Sequence, residues 1–101
     1  MLYTDYGFTL VALGRFEEAV GPLQQGLTRN AAVPHAQNAL GYAFANMQML
    51  QEAQDAFAQG LEYDPENPLI WSNLAVVWMA AGAFQQAAQG LEKALALETG
   101  P

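Results

Sequence analysis

The chain has no cysteine, one histidine and three basic residues among 101. Without cysteine there is no disulfide framework, no thiolate nucleophile and no sulfur-ligated zinc, and the redox compartment cannot be read. Three Lys/Arg against ten Asp/Glu give a formal charge of −7. That charge repels nucleic-acid phosphates and anionic bilayers, and it steers basic partners instead. One histidine leaves little scope for acid/base chemistry. A long apolar run is missing as well. The stretch Leu69 to Phe84, LIWSNLAVVWMAAGAF, would reach only about 24 Å as a helix, short of the roughly 30 Å hydrocarbon core of a bilayer. Ser72, Asn73 and Gly82 interrupt it further. The start, MLYTDYGF, has neither the basic residues nor the apolar core of a secretory signal. With no signal peptide or transmembrane segment visible, the compartment stays open and the cytoplasm is favoured.

What the chain has is apolar content and repetition. Hydrophobic residues make up 52% and charged residues 13%, a balance that excludes disorder. Three units of 34 residues would need 102 positions, one more than the 101 available. A shift of 34 places FEEA (Phe16 to Ala19) on LQEA (Leu50 to Ala53) and FQQA (Phe84 to Ala87). The same shift aligns Pro34 with Pro68, Gly7 with Gly41 and Ala75, and Gly26 with Gly60 and Ala94. A period held by large, small and proline positions together marks a repeat architecture. The triplet QGL at Gln25, Gln59 and Gln89 is a decoy, because its third copy lies about one helical turn out of register.

Within each unit, apolar residues recur at helical spacing in two stretches. The pattern predicts helices over about 2–13, 16–28, 35–47, 50–62, 69–81 and 84–97. Pro34 and Pro68 suit first-turn positions, and Asn67 can cap the fifth helix. Gly14 and Gly82 suit tight turns, with Gln48 in the matching place of the middle unit. Pro22 falls inside the second helix and removes a bond to the carbonyl near Glu18, so a kink or a later helix start is expected there.

Taken together, these residues resemble three tetratricopeptide repeats over essentially the whole chain. The middle unit carries the family pattern in Leu40, Gly41, Phe44, Ala53, Phe57 and Pro65, with Gln37 replacing the leading aromatic. The last unit has Trp71, Leu74, Ala75, Trp78, Ala87 and Leu91, with Thr99 at the proline place. The first has Tyr3, Tyr6, Gly7, Leu10, Ala19 and Leu23, with Ala31 there. The resemblance implies an all-α fold, a right-handed superhelix of three antiparallel helix pairs. It implies one domain over 1–101, with repeats of about 1–33, 34–67 and 68–101. Trp71 and Trp78 are then expected in the core between helix pairs.

The resemblance also implies where a partner would sit, because the first helix of each pair lines the concave side in this family. By register the lining is Met1, Thr4, Phe8, Val11 and Ala12, then His35, Asn38, Tyr42, Ala45 and Asn46, then Leu69, Ser72, Val76, Met79 and Ala80. None of these is lysine or arginine. Some relatives grip a C-terminal carboxylate with lysine, arginine and asparagine, but here those places hold Thr4, Leu69 and Asn73, which argues against carboxylate recognition. The fifth helix makes the same point by itself. Trp71, Leu74, Ala75 and Trp78 form one apolar face, yet Leu69, Val76 and Met79 make the other side apolar too. A side not covered by packing is a binding surface.

Other candidates are weaker. His35 has no cysteine or second histidine nearby and reads as a rim residue, not a metal ligand. Glu62, Asp64 and Glu66 could form a calcium cluster but read as solvated loop acids. Glu17, Glu18, Glu52 and Asp55 read as a solvated convex face. Asp5 with His35 lacks a nucleophile or an oxyanion site, so no enzyme activity, cofactor or metal is expected.

Two functions follow. The first is a protein-interaction module whose groove, through Phe8, Val11, Asn38, Tyr42, Asn46, Leu69, Ser72, Val76 and Met79, takes an apolar or amphipathic peptide with basic residues. The second is a structural module that self-associates through solenoid ends, with Ala87, Leu91, Ala94 and Leu95 as the contact, or that forms part of a longer protein.

Overall fold

A computed structural model describes residues 2–100. Six helices follow one another: α1 (Leu2–Ala12), α2 (Phe16–Arg29), α3 (Pro34–Asn46), α4 (Leu50–Tyr63), α5 (Pro68–Ala80) and α6 (Phe84–Thr99). No strand occurs among the described residues. Every expected helix is present, with its ends within two residues of the expectation. The second helices begin at Phe16, Leu50 and Phe84, 34 residues apart. The turns inside the pairs keep the same interval, since Gly14, Gln48 and Gly82 all have positive φ, at 76°, 63° and 80°. Glycine takes that conformation at no steric cost, whereas Gln48 is held in it by the turn.

Local chemistry explains the starts. Pro34 and Pro68 stand in the first turns of α3 and α5, where a missing N–H breaks no helical bond. The Asn67 side chain accepts hydrogen bonds from the backbone N–H groups of Leu69 and Ile70 at 3.0 and 3.2 Å, and its own Nδ2 donates to Asp64. Pro22 departs from the expectation of a late start, for α2 begins at Phe16 and runs through it. The residue before a proline is pushed out of helical conformation mainly by the clash with its own Cβ. Here that residue is Gly21, which has none.

Helices of a pair pack closely, and successive pairs meet through α2 with α3 and α4 with α5. First helices also approach each other, α1 to α3 and α3 to α5, whereas no Cα of α2 comes within 8 Å of one in α4, nor any of α4 within 8 Å of one in α6. The stack therefore curves toward the α1, α3 and α5 side. Its dimensions are 35 × 30 × 21 Å. Phe57, Leu10, Leu23, Ile70 and Val77 are its largest fully enclosed side chains, each stabilising the fold by about 1.5–3 kcal/mol.

Two expectations about burial need correction. Trp71 and Trp78 are half-buried, Trp78 lying against the core cluster without being enclosed by it. Ala87 and Ala94 are 2% and 6% exposed, because the small side of α6 turns toward α5, where Gly90 lies against Trp78 and Ala75. They cannot form an open end surface; only Leu91 and Leu95 of that set are exposed. Gln37, at the place of an aromatic, is buried and donates through Nε2 to Gln59 Oε1 at 3.0 Å.

Candidate functional site

On the concave side the 34-residue period turns three positions per helix into ladders. Thr4, Asn38 and Ser72 form one, Phe8, Tyr42 and Val76 another, and Val11, Ala45 and Met79 a third. Exposure along the central ladder rises from the half-buried Phe8 to Tyr42 at 44% and Val76 at 60%. Leu69 and Met79 are about half exposed as well. Phe8 and Val11 are partly withdrawn, packed against the core cluster, so the apolar surface is concentrated on α3 and α5. Met1 lies outside the described residues.

Between α3 and α5 these side chains enclose an open cavity of about 330 Å³. Tyr42, Ala45 and Asn46 form one wall, Asn73, Val76 and Val77 the other, and Phe57 and Gln48 also reach it. No charged residue lines it. Tyr42 is held by Phe16, whose ring meets it edge-on with centroids 5.9 Å apart and planes at 67°. An aromatic pair of this kind is worth about 0.5–1.5 kcal/mol beyond burial, so Tyr42 is presented in one orientation.

The polar residues divide into structural and available groups. Asn73 Nδ2 donates to Asn38 Oδ1 at 3.0 Å and ties α5 to α3. That bond leaves Asn38 its own Nδ2 as a donor and Asn73 its Oδ1 as an acceptor. Asn46 Nδ2 donates to the Tyr42 carbonyl at 2.9 Å, and the Ser72 hydroxyl to the Leu69 carbonyl at 3.0 Å. Both thus spend a donor on their own helix and retain acceptor capacity. His35 is exposed at the rim. No group of three His, Cys, Asp or Glu side chains that could hold a metal occurs among the described residues.

Reading by register missed Phe16, Gln48 and Phe57. Phe16 belongs to the first turn of α2 and reaches Tyr42 of the next unit, a contact that crosses the unit boundary. Gln48 could have been found, because it stands where the other turns have glycine.

A family model described as "Tetratricopeptide repeat" matches residues 45–100, more than half of the chain. The chain belongs to the tetratricopeptide repeat family. As such a repeat protein it superposes on the solved structure of MamA AMB-1 with a TM-score of 0.91 and 25% identity, covering 98% of this chain and 54% of that one. MamA MSR-1 gives the same score and identity, with 95% and 55% covered. The second tetratricopeptide repeat domain of Spaghetti (RPAP3), bound to the HSP90 peptide SRMEEVD, has a TM-score of 0.90 at 20% identity, with 94% and 88% covered. The chain thus spans about half the length of those MamA structures. No curated protein sequence matches it. Tetratricopeptide repeats are in general a non-enzymatic interaction fold, and no described helix is long and apolar enough to cross a membrane.

Proposed function

We propose that the chain is a peptide-binding adaptor, one domain of three units over 1–33, 34–67 and 68–101. Its concave side takes an apolar or amphipathic segment flanked by basic residues. One observation carries the reading: Tyr42, Leu69, Val76 and Met79 are all exposed on the concave side, at 44% to 60%, and Tyr42 and Val76 border a cavity without charge. Apolar side chains grouped on one concave surface mark a partner site, and burying what each still exposes would supply about 0.7–2 kcal/mol. Asn38 Nδ2 and Asn73 Oδ1 would orient the peptide backbone. The −7 charge supports basic flanks, through faster encounter more than through contact energy. The peptide held by Spaghetti (RPAP3), SRMEEVD, has acidic residues near its end. Thr4, Leu69 and Asn73 give this chain no cation for such a peptide, so its ligand is of different chemistry.

The test is selection of peptides from a random displayed library on the whole chain. Fluorescence polarisation then compares the selected peptides on wild type, Tyr42→Glu and Val76→Glu. Enrichment of apolar residues with Lys or Arg flanks is expected, with about tenfold weaker binding by both variants, since each loses apolar contact and places a carboxylate in it, together about 1.4 kcal/mol or more. Unchanged helicity in circular dichroism would show that the fold is intact. Equal affinity of wild type and both variants would remove the groove from consideration.

A second reading rests on a separate observation. Leu2, Tyr3, Tyr6 and Leu13 are exposed on α1, and Phe84, Leu91 and Leu95 on α6. One period inward the counterparts of Tyr6, Phe84 and Leu95, which are Leu40, Leu50 and Leu61, belong to or pack against the core, so these two faces suit stacking on another copy or on further repeats of a longer chain.

A further inference from the structure

The second cavity of consequence lies on the other side of α3. It measures about 440 Å³ and is bordered by α2 and α4, whose Cα atoms stay more than 8 Å apart. Its apolar lining comes from Leu27, Leu40, Phe44 and Ala56 with the buried amide of Gln37, and its rim carries Glu52 and Asp55 with amides from Gln24 and Gln59. The volume is that of a small ligand site.

Comparison of the middle and last units shows why the space is there. The positions equivalent to Gln37 hold Tyr3 and Trp71. Trp71 fills its place in the third unit and anchors its indole N–H on the Pro65 carbonyl at 2.8 Å. In the middle unit a glutamine stands where the others have a ring. It is 3% exposed and folded against Gln59. The rim changes in the same unit. Glu52 and Asp55 become Gln86 and Gln89 one period later, so the missing aromatic and the paired acids coincide. The carboxylates lie three residues apart on α4, on one face. Neither has an ion-pair partner among the described residues, although Asp55 accepts a hydrogen bond from Gln51. The chain's own arginines are engaged elsewhere, Arg15 with Glu18 and Arg29 over the Tyr3 ring at 5.2 Å.

We propose that this cavity between α2 and α4 receives an arginine side chain from a partner protein, its stem on Leu27, Leu40 and Ala56 and its guanidinium between Glu52 and Asp55. Charge complementarity selects the occupant. An apolar side chain would leave the charges of Glu52 and Asp55, which have no ion-pair partner among the described residues, uncompensated beside it, whereas a guanidinium offers five donors in a planar fork suited to carboxylate and amide oxygens. The stem of arginine buries on apolar surface while its charge stays at the rim. The site lies on the opposite face from the peptide groove and does not depend on that reading.

The test uses the whole chain, labelled with nitrogen-15, titrated with N-acetylarginine methylamide and separately with the neutral isostere N-acetylcitrulline methylamide. The arginine compound should shift the amide signals of Leu27, Leu40 and Ala56. Citrulline, which keeps the shape without the charge, should bind more weakly. The exposed double change Glu52→Gln with Asp55→Asn should weaken arginine binding roughly three- to tenfold, as expected for two solvent-exposed charge pairs. Gln37→Trp should fill the space and abolish the shifts. No response, equal affinity for the two compounds, shifts confined to Tyr42 and Val76, or binding retained by Gln37→Trp would each overturn the proposal. The double change alters only surface residues, so it gives a result even if the tryptophan variant fails to fold.

Discussion

At the scale of a residue, a helix position here is decided by what the partner helix presents. Gly41 lies against Phe57, which is 1% exposed; a Cβ at Gly41 would stand 2.6 Å from the ring. The third unit has the other solution, with Ala75 at the glycine place and the smaller Leu91 at the ring place. Gly41→Ala gains about 1 kcal/mol of helix propensity and loses about 1–3 kcal/mol to overpacking. Because the ring is 1% exposed and packed in the core, a net loss of about 1–2 kcal/mol in urea unfolding is expected. Adding Phe57→Leu should recover part of it, as a favourable coupling in the double-mutant cycle. Greater stability of the single variant would show that Phe57 has room to move. Gly41 was legible as a small position from the period alone. The reason for the smallness was not, because the sequence does not say which face of Phe57 it meets.

At the scale of an element, α2 carries a defect that its counterparts lack. Pro22 corresponds to Ala56 in α4 and Gly90 in α6. Its missing N–H removes the bond to the Glu18 carbonyl, a cost of up to about 3 kcal/mol inside a helix. Gly21 lowers the steric part of that cost. Pro22→Ala should restore the bond and raise stability by about 1–3 kcal/mol, read as a higher urea midpoint with an unchanged m-value. An unchanged or lower midpoint would mean that the ring contributes packing that alanine cannot replace. Helix ends were legible because proline, asparagine and glycine mark them by local chemistry. Site residues were legible only in part. Tyr42, Leu69, Val76 and Met79 are as open as their helical face suggests. Phe8 and Val11 are partly withdrawn, and Ala87 and Ala94 are buried. Whether an apolar residue at groove spacing is covered depends on how closely the neighbouring helix approaches, a distance set by side chains far off in sequence. The Phe16–Tyr42 contact was hidden for the same reason, and so was the cavity that Gln37 leaves.

At the scale of the whole molecule, a repeat fold makes its two end faces complementary. Leu2, Tyr3, Tyr6 and Leu13 show at the α1 end what α3 and α5 turn toward preceding units, and Phe84, Leu91 and Leu95 show at the α6 end what α2 and α4 turn toward following ones. Stacking of copies would repeat the internal contact and be head-to-tail, so each interface uses two different faces. Opposing it, each copy carries −7, a repulsion felt over about 10 Å at 0.1 M salt and about 3 Å at 1 M. The mass in light scattering should therefore rise with protein concentration and rise further with sodium chloride. Leu95→Glu spoils one face and Tyr6→Glu the other, so each variant alone should remain monomeric. Mixed, they should form one dimer, because each retains the face that the other has lost. An interface that paired identical faces would give no such rescue, and a wild-type chain that stays monomeric in high salt at millimolar concentration would rule out stacking and leave the end faces for further repeats of a longer chain.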